Sequence, residues 1–313
     1  MRVAILVPAP YGGERPDQVD TYDQAGEVAE CLARLGHESQ MTHYADHGAR
    51  TETNLAEAAP DVVFNLVEEV PEGPHEVHRA TATLDRLGLR YTGVRTSELE
   101  ALGDKRAMKA YLRGLGLPVV PSLGEAPDDA TFIVKHAFEH GSVGLEATTN
   151  VVEGADAARA VIAERQSAFG GEWYAEAYIE GREFDVSILG ARGGIVVMPV
   201  AEVAFTNHRR RPKVFGYASK WDPEGPDSYA VMRVFPPDDR DVATVRALAV
   251  EAWEKIGLAG FAHVDFRVDP AGRPYILEVN ANPCLLRTAG FVEAAEQLGM
   301  TQTDVVAALL EAA

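Results

Sequence analysis

The chain has only two cysteines in 313 residues, Cys31 and Cys284. That is too few for a disulfide framework or a cysteine-based zinc site, and a cytoplasmic, reducing setting is the expectation. Basic charge is also in deficit. Twenty-nine Lys and Arg stand against 48 Asp and Glu, for a formal net charge of −19. Such a chain lacks the positive footprint needed to hold nucleic acid or an anionic membrane surface, so neither is expected as a partner. No apolar run approaches the ~20 residues of a membrane-spanning helix. The opening "MRVAILVPAPYGGE" carries one strand's length of apolar residues before Pro8 and Pro10, and no signal h-region. The P-loop spacing GxxxxGK[ST] is absent, as are repeats and low-complexity tracts.

What is present reads as strands alternating with helices. "RVAILVP" and "DVVFNLV" (61–67) are buried strands, and "LRYTG" is a third. Ala25, Val28, Ala29, Leu32 and Leu35 recur at helical spacing and stop at Gly36; Val77, Ala80, Leu84 and Leu87 do the same before Gly88. A helix is expected from Asp104 to Arg113, strands in "TFIVKH" and on either side of Gly181, and one strand in "IVVMPVAEVAF". The stretch 206–228 lacks periodicity and reads as a long mobile loop. Helices are expected at 240–256 and near 303–312. These elements divide into an N-terminal parallel-sheet lobe at 1–96, a central lobe at 97–179 and a C-terminal lobe at 180–313. The fold class is α/β with α+β lobes.

One stretch breaks the apolar pattern: "HVDFRVDPAGRPYILEVNANPCL", His263 to Leu285. Side chains alternate across a strand. His263, Asp265 and Arg267 therefore share one face of the first run, and Glu278 and Asn280 share one face of the second. "DPAG" is a turn signal between them. A hairpin about that turn sets Asp265 opposite Glu278 and His263 opposite Asn280. Directly opposed Cβ atoms lie roughly 4.5–5.5 Å apart. Two carboxylates at that spacing repel unless a cation lies between them, and an all-oxygen donor set suits Mg²⁺. The competing reading is an edge hairpin with a solvated polar face. His75 and His78 have metal-like helical spacing, but a zinc site is not the expected reading there.

The hairpin closely resembles the metal-binding hairpin of ATP-grasp ligases, in the D-alanine–D-alanine ligase branch. Further segments resemble that family in order: "LRYTGVRTSELEALGDKRAMKAYLRGLGLPVVP", "FIVKHAFEHGSVGL", "YAEAYIEGREFDVSILG" and "YASKWD". The resemblance implies a three-lobed ATP-grasp fold with ATP between the central and C-terminal lobes. It implies joining of a carboxylate to an amine through an acyl phosphate. By the match, Asp265, Glu278 and Asn280 are the metal ligands for two Mg²⁺ ions, with Mn²⁺ as the alternative ion. Lys105, Lys135 and Lys220 meet phosphate, as do the backbone N–H groups of Gly141, Ser142 and Gly144. Glu176 with Ala177, Tyr178 and Ile179 meets adenine, and Glu183 meets ribose. Lys220, Ser142, His263 and Arg287 are the candidate catalytic residues. Arg209, Arg210 and Arg211 read either as a solvated run or as an anion clamp.

Departures from the family pattern cluster around the substrates. Gly141 stands where the family has a serine, His263 where it has an arginine, Cys284 where it has a glycine and Ala289 where it has a serine. Glu14 is a loose candidate for the first-loop glutamate, and Arg287 for replacing the lost serine. The expected substrates are therefore amino acids or small peptides other than two D-alanines. A genuine D-alanine–D-alanine ligase with a rearranged site, and a non-catalytic ATP-binding protein, are the two alternatives. A homodimer is a family-level expectation.

Overall fold

The computed structural model describes every residue except 11–15, 46–47, 71–72, 139–141, 143, 207–211, 218 and 220–230. Gly141, Lys220, Glu14 and Arg209 to Arg211, and most of the 206–228 loop, thus lie outside the described residues.

Three sheets organise the chain. The first is parallel, in the order β2-β1-β3, from β1 (Arg2–Pro8), β2 (Glu38–Tyr44) and β3 (Val62–Asn65). Helices α1 (Pro16–Arg34), α2 (Ala49–Ala58) and α3 (His78–Arg86) accompany it. The expected third strand at "LRYTG" is corrected: Tyr91 makes only an isolated bridge to Val63, and the third strand is β2. β2 escaped notice because it is a sheet edge whose first four residues are exposed and mostly polar, so no apolar alternation marks it.

Helices α4 (Thr96–Gly103) and α5 (Lys105–Gly114) lead into the second sheet. Asp104 caps α5 by accepting from the Arg106 N–H, which fixes where the helix starts and hence where Lys105 points. The second sheet is antiparallel, β5-β4-β6, from β4 (Thr131–His136), β5 (Val151–Glu153) and β6 (Trp173–Ala177). The short α6 (Ala147–Asn150) and α7 (Ala155–Phe169) join its strands, and α7 covers it.

The third sheet has six strands in the order β10-β9-β7-β11-β12, with β8 paired to β7. They are β7 (Arg182–Ala191), β8 (Gly194–Val197), β9 (Ala201–Phe205), β10 (Val231–Val234), β11 (Phe261–Val268) and β12 (Pro274–Ala281). The single strand expected in "IVVMPVAEVAF" is two, interrupted around Pro199, which has no N–H to give to a ladder. Gly181 is where the chain leaves the second sheet for the third. Its φ is +151°, and a Cβ there would lie 1.9 Å from Val268 O. Only glycine passes that close to another backbone.

Helix α8 (Arg240–Ile256) packs Val242, Val245, Ala249 and Trp253 against Phe184, Val264 and Phe266 of this sheet. Two further helices, α9 (Gly290–Glu296) and α10 (Gln302–Ala312), turn back. Val305, Val306 and Leu309 of α10 join Val3, Ile5, Val28 and Leu32 in one apolar cluster, so the two ends of the chain share a core. No described helix is long and apolar enough to cross a membrane.

Candidate active site

The cleft lies between the second and third sheets and is closed at one end by α1 and α9. Its volume is about 480 Å³, within the usual ligand-pocket range. Lys105, Lys135, Ser142, Glu176 and Glu183 line it, as do the hairpin residues His263, Asp265, Glu278 and Asn280.

The hairpin has the register its alternation demands. Asp265 faces Glu278 and His263 faces Asn280, with a register shift just beyond Asp265. On the other side of β11, Asp265 faces Asp185 of β7, and His263 faces Ser187. Three carboxylates, Asp185, Asp265 and Glu278, therefore sit side by side across three strands on the cleft face. Ligating atoms of Asp185, His263 and Asp265 all lie within 4.8 Å of one another. Like charges in adjacent register destabilise a sheet unless cations offset them. Lys105 approaches Glu278 Oε1 at 3.3 Å from one side, and Arg233 approaches Asp185 Oδ2 at 3.6 Å from the other. The row of carboxylate oxygens fits a divalent cation.

A second charged group lies behind the row. Glu176 is fully buried at the end of β6. Its Oε1 accepts from Lys135 Nζ at 2.8 Å, and its Oε2 lies 2.8 Å from Lys109 Nζ. Tyr174 OH donates to Oε2 at 3.2 Å. Lys109 also donates to Leu277 O at 2.7 Å, which ties α5 to the hairpin. Burial alone would push the Glu176 carboxyl up, but the two ammonium groups outweigh it and hold it below its ordinary value. The two lysines diverge. Burial depresses Lys109, whereas Glu176 overcomes burial at Lys135 and raises it. Glu176 lines the cleft as expected, but its carboxylate is engaged as the counter-ion of two lysines.

Glu183 pairs with Arg267, whose guanidinium is also bonded to Lys213 O and to Ile179 O. The Ala177 and Tyr178 N–H groups donate to Pro121 O and Thr131 O. Ser142, at φ +61°, donates from its hydroxyl to Phe215 O at 3.3 Å. Gly144 has φ +67°, and a Cβ there would meet the Trp173 ring at 2.7 Å. Cys284 donates its thiol to Asp20 Oδ2 at 3.3 Å, and burial pushes that thiol far up, which disfavours the thiolate. His75 and His78 line a separate cavity of about 260 Å³ beside α4.

Arg287 is not among the cleft-lining residues. Its Nη2 donates to Glu30 at 2.9 Å, its Nε donates to Gln302 at 3.2 Å, and its side chain is 48% exposed. Among the described residues, the guanidinium groups that do line the cleft are those of Arg233 and Arg267. Lys109, Asp185 and Arg233 are the site residues that sequence reasoning passed over. Lys109 had a signal: it lies one turn after Lys105 on the face shared with Met108 and Leu112. Asp185 had one too, alternating with Phe184 and Val186.

Buried paired lysines, a carboxylate-bearing hairpin and a cleft between two sheets define an ATP-grasp-type ligase fold. The comparisons agree. The family model "D-ala D-ala ligase C-terminus" matches residues 129–311. The D-alanine–D-alanine ligase of Gluconobacter oxydans is 32% identical over 321 aligned residues, covering 97% of this chain and 96% of that protein. The enzyme of the same name from Granulibacter bethesdensis is 31% identical, covering 96% and 93%. The fold matches the crystal structure of D-alanine–D-alanine ligase from Bacillus anthracis complexed with ATP, at a TM-score of 0.74 and 16% identity, covering 100% of this chain and 97% of that one. The chain belongs to the D-alanine–D-alanine ligase family of ATP-grasp enzymes.

Proposed function

We propose that the protein is an ATP-dependent, ADP-forming ligase that joins the carboxylate of one amino acid or small peptide to the amine of another. The reading is carried by the opposed carboxylates of the hairpin, Asp265 against Glu278, set beside the cleft-lining lysines. Asp265, Glu278 and Asn280 would hold Mg²⁺, which supplies charge neutralisation at phosphate oxygens. Lys105 and Lys135 would bind the nucleotide phosphates. Glu176 would keep both Lys109 and Lys135 protonated and fixed in place. Glu183 and the backbone near Ile179 would receive the nucleoside. The domain boundaries at 97 and 180 would frame the nucleotide site on both sides.

Phosphoryl transfer needs positioning and charge neutralisation more than covalent help. A substrate carboxylate oxygen would attack the γ-phosphorus, and the bond to the β-bridging oxygen would break as ADP leaves. The amine nitrogen would then attack the acyl carbon. Its proton is lost and inorganic phosphate departs with the C–O electron pair.

The substrates are amino acids or peptides that differ from two D-alanines. Support comes from the substrate end of the cleft, where His263, Cys284 and Ala289 depart from the family and the guanidinium comes from β10. Use of D-alanine at both positions is the second reading, supported by the names of the full-length relatives. The test is ADP release across a panel of D- and L-amino acids with hydroxylamine present. A hydroxamate with ADP and phosphate is expected from the right acid. AMP and pyrophosphate as products would overturn the reading, and D-alanine as the sole active substrate would favour the second one.

A further inference from the structure

Arg233 sits on β10, two strands away from β7, with its guanidinium reaching over the sheet into the cleft. In register it lies opposite Val203 of β9, on the cleft face of the sheet. Three observations bear on what it does there. Its Nη1 donates to Glu293 of α9 at 2.8 Å, and its Nε stands 3.6 Å from Asp185 Oδ2, beyond hydrogen-bond range. That Nε is buried and makes no hydrogen bond with any described residue. The plane of the guanidinium packs on Gly290, where a Cβ would meet its Cζ at 2.5 Å.

A buried donor left without a partner is costly, and guanidinium donors are satisfied best by planar two-oxygen anions. Arg267 also lines the cleft, but its guanidinium is already committed to Glu183 and to two backbone carbonyls. Arg233 is held by one hydrogen bond and one longer ion pair, which fixes its place and leaves donors for a third group. Burial would lower its pKa, yet Asp185 and Glu293 raise it, so the group is a permanent cation. His263 Nε2 lies 3.9 Å from the same Asp185 Oδ2. Asp185 thus stands between the imidazole and the guanidinium, and the guanidinium lies against Gly290.

We propose that Arg233 binds the carboxylate of the acceptor amino acid, the one that survives the reaction, and that it selects acceptors with a free carboxylate. Asp185 and Glu293 are positioning residues that hold the guanidinium, and Gly290 supplies the flat surface behind it. The inference rests on the ligase reading above.

The test pairs each acceptor with its own carboxamide. D- and L-alanine, serine and leucine, and the corresponding amino acid amides, are compared by acceptor-dependent ADP release in the wild-type chain, Arg233→Gln and Arg233→Lys. The wild type is expected to prefer the acid by roughly tenfold to a hundredfold in kcat/KM, the scale of a charge-assisted hydrogen bond. Arg233→Gln should reduce that preference to within about twofold, mainly through the KM for the acid, and Arg233→Lys should restore part of it. If Arg233→Gln keeps the wild-type acid-to-amide ratio, or lowers both substrates by the same factor, Arg233 is only a structural cation and the proposal is overturned. Absence of any acceptor-dependent ADP release from the wild-type chain would instead overturn the ligase reading, and the carboxylate clamp with it.

Discussion

The two ends of the cleft are built on different principles. At the end lined by Lys105 and Lys135, opposite charges alternate and interlock: Lys105 against Glu278, and Lys135 and Lys109 against Glu176. The groups there are buried or half-buried, paired and drawn from α5, β4, β6 and β12. At the end lined by Arg233, the charges of Arg233, Asp185 and His263 stand at longer separations, and one donor is unsatisfied among the described residues. The first end is a closed network that ligand must enter by exchange. The second has hydrogen-bonding capacity still to be used. An enzyme that changes its substrates while keeping its cosubstrate is expected to vary at the open end.

The largest effect of a substitution is expected at the closed end. Lys109→Met would leave Glu176 with one lysine where two now share it. Removing one partner of a buried ion pair costs about 3–5 kcal/mol, so urea unfolding should shift by that amount. Lys109→Met combined with Glu176→Gln should recover part of the loss. A variant as stable as wild type would mean that this network is not closed. The same group sets an acid limit. Glu176 titrates below its ordinary value of 4.5 in the folded chain, so the unfolded chain takes up the proton more readily. Its contribution is complete above about 4.5 and is lost as pH falls through the lower, folded value. In the double variant that part of the acid limb should vanish, measured by unfolding at stepped pH.

Glu278→Gln tests the row itself. It removes one of three neighbouring charges, so folding should hold. Turnover should nevertheless drop by roughly 10²–10³-fold, about 3–4 kcal/mol of transition-state stabilisation. Wild-type kcat at limiting Mg²⁺ would remove Glu278 from the metal site. The smallest effect is expected at Arg287. Its pairs with Glu30 and Glu27 are half-exposed, and such pairs contribute about 0–1 kcal/mol. Arg287→Ala should change kcat/KM by less than about twofold. A large loss would move the substrate end away from Arg233.

Legibility in the sequence follows the same division. The hairpin register could be read because a strand's period is two and the turn "DPAG" fixes its centre, so Asp265 and Glu278 had one way to meet. Helix α8 was equally plain, with its apolar stripe from Val242 to Ile256 and a terminal Gly257 at φ +81°. What could not be read depends on pairings across distant segments. Arg233 is one charge in a four-residue strand after the long loop, and only the sheet order brings it to Asp185. Glu176 was placed in the cleft from sequence, but its two lysines come from α5 and β4, each more than 40 residues away. Arg287 lay close to the substrate residues in sequence, yet Glu27 and Glu30 of α1 hold it outside.

The core shared by the chain's two ends bears on how the molecule comes into being during synthesis. Translation delivers β1 and α1 long before Val305, Val306 and Leu309, which complete the same cluster. Until then the apolar side of the opening helix has no final cover, and the pairing spans nearly the whole polypeptide. Contacts of that sequence separation form slowly, and nascent segments waiting for them expose apolar surface. A chain cut short of α10 would therefore leave the apolar side of α1 exposed to the quality-control machinery.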